Sequence, residues 1–309
     1  MDPIHLKFGG YQAPASIHNR AAQYFGNLLK TQLGPEVHFE LIGNVLELGR
    51  NSGDLPAMVE RSEIDFCYIS TVRFSRPVPD LQLLELPFIV KDRAAVIAAL
   101  NGELGALFDR RMLANTPFRV LGFWDNGFRH ISSVRPIRSP HDCWGLRIRT
   151  QMSDLHVQTF RALDFEPLAV DVKEFVDQIA TGRFQAQDNP LTNIYNFGVH
   201  HFHRYITLTG HFFGASVLIC KEARLREWPP KVQAAVQLAA RDATAYQHRL
   251  AASEDAEILA KLDVRHNEVI RLTDEQRAAF VSKVKPVIEK YRSILGGELF
   301  AYLESSRAS

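Results

Sequence analysis

The sequence has few cysteines and no excess of charge of either sign, and both shortages narrow the possible functions. Cys67, Cys143 and Cys220 are the three cysteines of 309 residues, they lie far apart, and no two form a Cys-x-x-Cys pair. We therefore expect buried apolar side chains instead of a zinc site or a disulfide framework. Thirty-six Lys and Arg residues oppose 35 Asp and Glu residues, which gives a formal net charge of +1. Because no long-range field gathers polyanions, nucleic acid is not an expected partner.

Long apolar runs and catalytic signatures are also missing. No stretch of about 18 apolar residues is present, so we expect no membrane-spanning helix. The sequence has no Gly-x-Ser-x-Gly, no glycine-rich phosphate loop and no dinucleotide-binding glycine fingerprint, which favours a protein that is not an enzyme and needs no cofactor. A hydrolase or lyase that uses His130 or His211 as a base stays open as an alternative.

One histidine cluster invites a metal hypothesis. His200, His201 and His203 are close in sequence, and His211 follows them. Imidazoles are common ligands of zinc, copper and nickel. However, adjacent histidines in a strand or helix cannot all face one ion, so we predict no metal site.

The length and the hydrophobic pattern predict two domains of α/β type. A chain of 309 residues exceeds the usual size of one domain. Residues 4–10 alternate like a strand, Ser16 can cap a helix, and the apolar residues 64–70 are typical of a strand buried on both faces. The sequence Asn126-Gly127 predicts a turn, after which a second sheet begins.

The other helices are predicted from apolar residues at spacings of three and four. This spacing predicts helices over residues 93–113 and 274–303, and an unusually long one from Lys231 to Leu262. At ~1.5 Å per residue the long helix would run ~45 Å, enough to brace both domains.

Three short segments carry residues suited to anion binding. In Gly145 to Thr150 a strand would place Arg147 and Arg149 on one face. A turn at Asn126-Gly127 would present Arg129, and Pro190 would leave the amide of Asn189 on a loop, able to bind a carboxylate.

Together these segments resemble the solute-binding proteins of the tripartite ATP-independent periplasmic (TRAP) transporters, the DctP-type family. The resemblance spans essentially the whole chain and depends on collinear motifs, which are Leu6 to Phe8, Leu48-Gly49, Leu86-Pro87-Phe88, Gly145 to Arg149 and Gln187 to Leu191.

The resemblance implies an α/β, two-lobed periplasmic binding protein-like fold, with two sheets, a long helix spanning both lobes and a ligand cleft between them. The expected lobes are residues 1–125 plus 210–248 and residues 126–209 plus 249–309. In that family the residue matching Arg149 clamps the substrate carboxylate, assisted by those matching Arg129 and Asn189. A planar, forked guanidinium suits a carboxylate.

Departures from the family pattern bear on the ligand. Ser70 stands where sialic-acid-binding members carry an acidic residue, Val172 replaces a frequent aromatic, and Tyr11 takes the place of a polar residue in the first loop. Further aromatics expected around the pocket include Trp124 and Phe213, so we predict a small monocarboxylate with an apolar or aromatic part. The expected substrate-binding residues are Arg149, Arg129, Asn189, Tyr11, Ser70, Trp124, Val172 and Phe213.

The resemblance also implies a periplasmic protein that delivers its ligand to the integral-membrane permease subunits of a TRAP transporter. No secretory leader precedes the first strand, so an exported protein would have lost it before this start. We expect a monomer. An alternative is a sensor that presents a bound organic acid, with a uronate or a dicarboxylate also possible, to a receptor.

Overall fold

The computed structural model describes residues 3–305, in which strands alternate with helices. The strands are β1 (Ile4–Gly9), β2 (Val37–Ile42), β3 (Phe66–Ser70), β4 (Phe118–Ser133), β5 (Arg147–Thr150), β6 (Glu166–Ala169), β7 (Ala186–Pro190), β8 (Tyr205–Lys221) and β9 (Glu268–Ile270). The helices are α1 (Ile17–Leu33), α2 (Leu55–Glu60), α3 (Arg93–Asn101), α4 (Glu103–Asn115), α5 (Asp154–Ala162), α6 (Val172–Gln178), α7 (Leu191–Asn196), α8 (Glu222–Glu227), α9 (Pro230–Lys261), α10 (Asp274–Leu295) and α11 (Gly297–Ser305).

The chain divides into two compact units. The first comprises Met1–Thr71, Leu100–Asp125 and Ala215–Glu254, and the second comprises Val72–Ala99, Asn126–Gly214 and Asp255–Ser309. The division differs from the expected lobes mainly in residues 72–99, which belong to the second unit. Contacts of these residues explain the assignment, because Phe88 packs in a hydrophobic core with residues of α5 and α10.

The first unit contains a mixed sheet. Strand β1 pairs in parallel with β2 and β3, and β3 pairs antiparallel with the last part of β8. Helix α1 covers this sheet, and the Ser16 side chain accepts a hydrogen bond from Asn19 N, as a capping residue should. Phe8 packs against Phe25 and Trp124 in the aromatic core.

The second unit is built around its own set of strands. Strand β7 runs antiparallel to β4 over residues 129–133 and parallel to β5, which in turn pairs in parallel with β6. Strand β9 pairs with the start of β8. Two apolar clusters are formed inside this unit, one around Phe160 and one around Phe175. Strands β5, β6 and β7 therefore pack against these two apolar clusters.

Four of the elements named above contribute residues to both units, and the first of them along the chain is α3, which enters the first unit at Leu100. Strand β4 passes from the first unit to the second after Asp125, β8 returns to the first after Gly214, and α9 enters the second at Asp255. The nine strands of residues 3–305 pair into one sheet, to which β4 and β8 belong in both units, whereas the sequence predicted two sheets. The long helix was predicted to within one residue at each end.

Two predicted helices are each divided by a glycine. The helix expected over residues 93–113 is two helices separated at Gly102, and the helix expected over 274–303 is interrupted at Gly296, whose φ is 81°. At Gly296 the positive φ carries no steric cost because glycine has no side chain, so the helix ends there readily.

Two predicted breaks in the chain are wrong. Asn126-Gly127 forms no turn, because β4 continues to Ser133 while Gly127 takes a φ of 80°. Asn189 lies in a strand instead of a loop: β7 is buried between β4 and β5, where its peptide groups need ladder partners. Pro190 ends the strand, as its missing N–H requires.

The three cysteines are buried and free, as the sequence predicted. No helix in residues 3–305 combines the length and the apolar character that crossing a membrane requires.

Candidate functional site

Arg149 lies near the end of β5 with its side chain in the interior of the second unit. It leaves 2% of its surface exposed, whereas Arg147 on the same strand is exposed. The Nε and Nη2 atoms of Arg149 both donate to the carbonyl oxygen of Val170, at 3.2 and 2.9 Å. Nη1 donates no hydrogen bond within residues 3–305. One side of the guanidinium fork is therefore held and the other is available.

The charge of Arg149 has no carboxylate partner in the described part of the chain. No Asp or Glu side chain forms an ion pair with it, and its guanidinium carbon lies 5.2 Å from the ring centroid of Phe175. Burial lowers the pKa of Arg149 to about 10, with Asp188 partly opposing that effect. The group is protonated at neutral pH, so Arg149 is a buried cation whose desolvation cost is not offset by an ion pair within residues 3–305.

The start of α6 lies directly beside this guanidinium. Asp171 caps the helix by accepting from Lys173 N at 3.0 Å, and Val172 is the first helical residue and buried. The other oxygen of Asp171 forms an ion pair with Arg73. Arg73 is thus matched with an acid of its own unit, unlike Arg149.

Arg129 of β4 is equally buried but paired. Its Nε donates to Oδ2 of Asp188 at 2.6 Å, and its Nη2 donates to the Asp188 carbonyl oxygen at 2.7 Å. The two side chains have exposed fractions of 1% and 0%. Arg129 is therefore neutralised internally, and its predicted role as an assisting anion ligand has to compete with Asp188.

Asp188 retains unused hydrogen-bonding capacity. Its Oδ1 is buried and accepts no hydrogen bond from residues 3–305, and the His211 Nε2 lies 3.7 Å from its Oδ2. Burial by itself would raise the pKa of Asp188, but the attraction of Arg129, with help from His211, holds it well below the usual range. Burial lowers the pKa of His211.

Asn189 belongs to a chain of side-chain hydrogen bonds. Asn193 donates to the Asn189 oxygen at 3.2 Å, Asn189 Nδ2 donates to Gln187 at 2.6 Å, and Gln187 donates to Ser132 Oγ at 2.7 Å. Ser132 then lies 3.0 Å from Nδ1 of His203, whose Nε2 lies 3.0 Å from the Phe184 carbonyl. This chain fixes the Asn189 amide and leaves its second N–H for another acceptor.

The first unit holds three further residues predicted for the site. Tyr11 and Ser70 are buried at 5% and 6% exposure, and the Tyr11 backbone N–H donates to the Tyr68 hydroxyl at 3.2 Å. Trp124 is fully buried, stacks on Phe8 and donates from Nε1 to the Thr244 hydroxyl at 3.1 Å. Its indole is thus a core side chain of this unit.

Phe213 is a buried residue of β8 in the second unit. Its ring meets that of Phe128 edge-on, with centroids 5.5 Å apart. The next residue, Gly214, approaches the Gly127 carbonyl so closely that a Cβ would lie 2.9 Å from it. Only glycine allows these backbones to come so near.

The whole architecture matches a known protein family. Residues 8–294 fit the DctP family, described as bacterial extracellular solute-binding protein, family 7. The chain belongs to this family. The C4-dicarboxylate-binding periplasmic protein DctP of Rhodobacter capsulatus is 26% identical and covers 99% of this chain and 92% of its own. The 2,3-diketo-L-gulonate-binding periplasmic protein of Escherichia coli is 26% identical over 89% of this chain and 83% of its own.

Solved structures of the DctP type share the fold. A TRAP periplasmic solute-binding protein of Shewanella oneidensis, with bound succinate, superimposes with a TM-score of 0.93 at 22% identity and covers 98% of this chain and 99% of its own. The sugar acid binding protein of Advenella mimigardefordensis, in complex with galactonate, gives 0.93 at 20% identity, with 100% and 99% covered. The predicted α/β periplasmic binding protein-like fold is confirmed.

Membership in the DctP family confirms that the chain is a binding protein of a transport system and not an enzyme. The hydrolase hypothesis for His130 and His211 is therefore set aside. The ring nitrogens of His203 are occupied by Ser132 and Phe184, and His200 stacks on Tyr195. In residues 3–305 no three His, Cys, Asp or Glu side chains are placed to hold a metal ion.

The sequence analysis did not identify Asp188 and Asp171, the two acids that pair with neighbouring arginines. Asp188 stands between two residues that were noted, and Asp171 precedes a predicted helix, where a cap is common. The alternation within β7 could have suggested that Asp188 faces away from Gln187 and Asn189. Its pairing with Arg129 depends on the register of β4 and β7, which local sequence does not give.

Proposed function

We propose that this DctP-family protein is the extracytoplasmic solute-binding subunit of a TRAP transporter and captures a small organic monocarboxylate through Arg149. The observation that carries the proposal is the buried guanidinium of Arg149, which is protonated and, among the described residues, has no carboxylate partner and no hydrogen bond from Nη1. An ionised carboxylate would supply the missing charge and accept a charge-assisted hydrogen bond.

The number of uncompensated cations supports one carboxylate on the ligand. Arg129 and Arg73 are paired with Asp188 and Asp171, so Arg149 is the arginine of this group whose charge needs an external partner. Among the similar proteins, one is named for 2,3-diketo-L-gulonate and one was solved with galactonate, and both of these ligands are monocarboxylates. Another is named for C4-dicarboxylates and another was solved with succinate, which are dicarboxylates. A single clamp fits the first kind better.

Other predicted residues take supporting roles in the proposal. Asn189 would donate its second N–H to the ligand, and Val172 would pack against the apolar part. Tyr11, Ser70, Trp124 and Phe213 are proposed to set shape and polarity, and Arg129 would contribute through its position next to Asp188. Delivery would be to integral-membrane permease subunits, with the protein acting in the periplasm.

Calorimetry and thermal melting against a panel of organic acids test the proposal. The panel pairs each dicarboxylate with its monoamide, for example succinate with succinamate, so that one carboxylate is compared with two. We expect the best ligand to be a monocarboxylate. If every monoamide binds at least tenfold more weakly than its diacid, the preference for one carboxylate is wrong.

Variants on β5 give a matched comparison. Arg149→Ala should weaken binding of the best ligand by about 100-fold or more, since a buried charge partner is lost. Arg149→Lys should weaken it less, because the charge stays while the fork is lost. Arg147→Ala, the exposed neighbour on the same strand, should leave affinity within about twofold. Equal affinity for Arg149→Ala and wild type would refute the clamp.

A further inference from the structure

A groove of about 880 Å³ lies within the second unit, outside the surroundings of Arg149. Helix α10 forms one wall, and residues of β4 and β8 form another. Sites for small organic molecules in proteins commonly measure roughly 300–1,000 Å³. None of the groove's lining residues is among those proposed to bind the transported solute.

The walls of this groove are largely apolar. Phe88 and Val90 are nearly fully buried at its base, while Phe128, Leu208 and Val281 are half-buried. These side chains offer a surface for an aliphatic chain or a ring. Removing such a chain from water is favourable by about 0.8 kcal/mol for each buried CH₂.

Cations surround the apolar walls. Lys91, Arg277 and Lys285 line the groove against one acid, Asp274, so the lining carries three positive charges and one negative, a net charge of +2. Arg277 and Lys91 form no ion pair within residues 3–305, and Lys285 reaches Glu289 at 3.7 Å. The groove is therefore electropositive.

Arg277 is held in place over the base of the groove. Its Nη1 donates to the Thr209 carbonyl oxygen at 2.6 Å, and its guanidinium carbon lies 5.0 Å from the Phe88 ring centroid. Nη2 and Nε donate no hydrogen bond within the described chain. Half of a preorganised fork is thus free to bind an anion.

His130 adds a neutral donor to the same groove. Its side chain is 9% exposed, and its Nδ1 accepts a hydrogen bond from Gly210 N at 3.0 Å. Burial lowers the pKa of His130 to about 3, so the ring is neutral at pH 7 and its proton must lie on Nε2. Within residues 3–305 this Nε2–H has no acceptor, although the residue lines the groove.

We propose that this groove is a second ligand site, which binds a small amphipathic monocarboxylate: its carboxylate meets Arg277 and the His130 Nε2–H, and its apolar chain lies along Phe88, Phe128 and Val281. The occupant differs from the transported solute in needing a substantial apolar body. Because the groove has apolar walls and a cationic region beside them, it favours a molecule with an apolar chain and one carboxylate, such as a medium-chain fatty acid.

Octanoate is the probe, and calorimetry in the Arg149→Met background isolates the groove from the solute site. We expect octanoate to bind with a dissociation constant on the order of 0.1–1 mM. Acetate, which lacks the apolar body, and octanamide, which lacks the charge, should each bind at least about tenfold more weakly. If octanoate binds the wild type but not Arg149→Met, the solute site accounts for its binding and the second site is refuted.

Variants on α10 locate the probe. Ala278→Trp places a bulky ring in the groove from an exposed helix position and should abolish binding, while Arg277→Gln should weaken it about tenfold. Lys285→Met should weaken it less. Lys283→Met, on the same helix but paired with Asp164 at 2.9 Å outside the groove, serves as the matched control and should bind normally.

The variants leave two ways to overturn the proposal. One is octanoate affinity unchanged in Ala278→Trp, and the other is equal weakening by Lys283→Met and Lys285→Met, which would indicate general electrostatic attraction. Absence of octanoate binding to the wild type up to 10 mM, roughly the limit for a site of this size, also refutes it.

Discussion

Arg129 and Arg149 lie in the same unit and are equally buried, but Arg129 has a carboxylate oxygen at 2.6 Å and Arg149 has no carboxylate partner in the described part of the chain. Arg129 with Asp188 forms a closed internal pair of the kind that fixes strands β4 and β7 to each other. Arg149 is held on one side by the Val170 carbonyl. The difference shows that burial alone does not distinguish the two arginines, and the proposed anion site at Arg149 depends on its lack of a carboxylate partner within the described residues.

The largest effect is expected when Asp188, the acid paired with Arg129, loses its charge. Asp188→Asn leaves Arg129 buried without a countercharge, which should lower the free energy of unfolding by roughly 3–5 kcal/mol. Urea denaturation of the ligand-free protein measures it. Asp177→Asn, which breaks the exposed pair with Lys173, is the control and should cost less than about 0.5 kcal/mol. Similar losses for both variants would contradict the contrast.

Acid should weaken the hydrogen-bond chain that ends at His203. Burial lowers the pKa of His203 to about 4 in the folded protein, against about 6.5 in the unfolded chain. Because the folded pKa is the lower one, the stabilisation is complete above about pH 6.5 and is lost as the pH falls toward 4. One such group changes stability by about 1.4 kcal/mol per pH unit within that window.

Urea denaturation between pH 7 and pH 4.5 measures this effect, and the buried His18 and His130, whose pKa values burial lowers to about 3, should add to the slope. His203→Gln should reduce the slope by about one proton. The control is His266→Gln, which changes an exposed histidine. An unchanged slope in His203→Gln would mean that His203 is not held neutral.

The smallest expected effect has the opposite sign. Arg149→Met replaces an uncompensated buried cation with an apolar side chain of similar length, so the ligand-free protein should become more stable by about 1–2 kcal/mol. Arg129→Met should instead be destabilising, because it leaves the buried carboxylate of Asp188 without a cationic partner. Differential scanning calorimetry without ligand compares them. Equal destabilisation by both substitutions would show that Arg149 is as well compensated as Arg129.

Much of the fold could be predicted because its signals are local. The apolar spacing in residues 231–262 gave a helix observed as Pro230–Lys261, and Ser16 caps α1 as its residue type suggested. The predictions that failed involve contacts between distant segments: Asn126-Gly127 looks like a turn until β4 is paired with β7, and Asn189 looks like a loop residue until β5 and β4 flank it.

The site divides in the same way. Arg149 was identified from a strand motif and a family resemblance, and the structure buries it without an acid partner among residues 3–305. Arg129 was placed in the site by the same reasoning, yet its internal acid lies 59 residues further along the chain. The residue type predicted a cation in both cases, but only the fold showed which of the two is already paired with a carboxylate.

The sequence by itself determined the family, the α/β class, the long helix and the identity of the arginines, because periodicity and short motifs are properties of neighbouring residues. Tertiary structure decided which arginine keeps a free hydrogen-bond donor, which histidines are neutral, and where apolar walls and cations meet in one groove. The physical reason is that burial, charge pairing and pKa depend on atoms brought together from distant parts of the chain, and these distances exist only after folding.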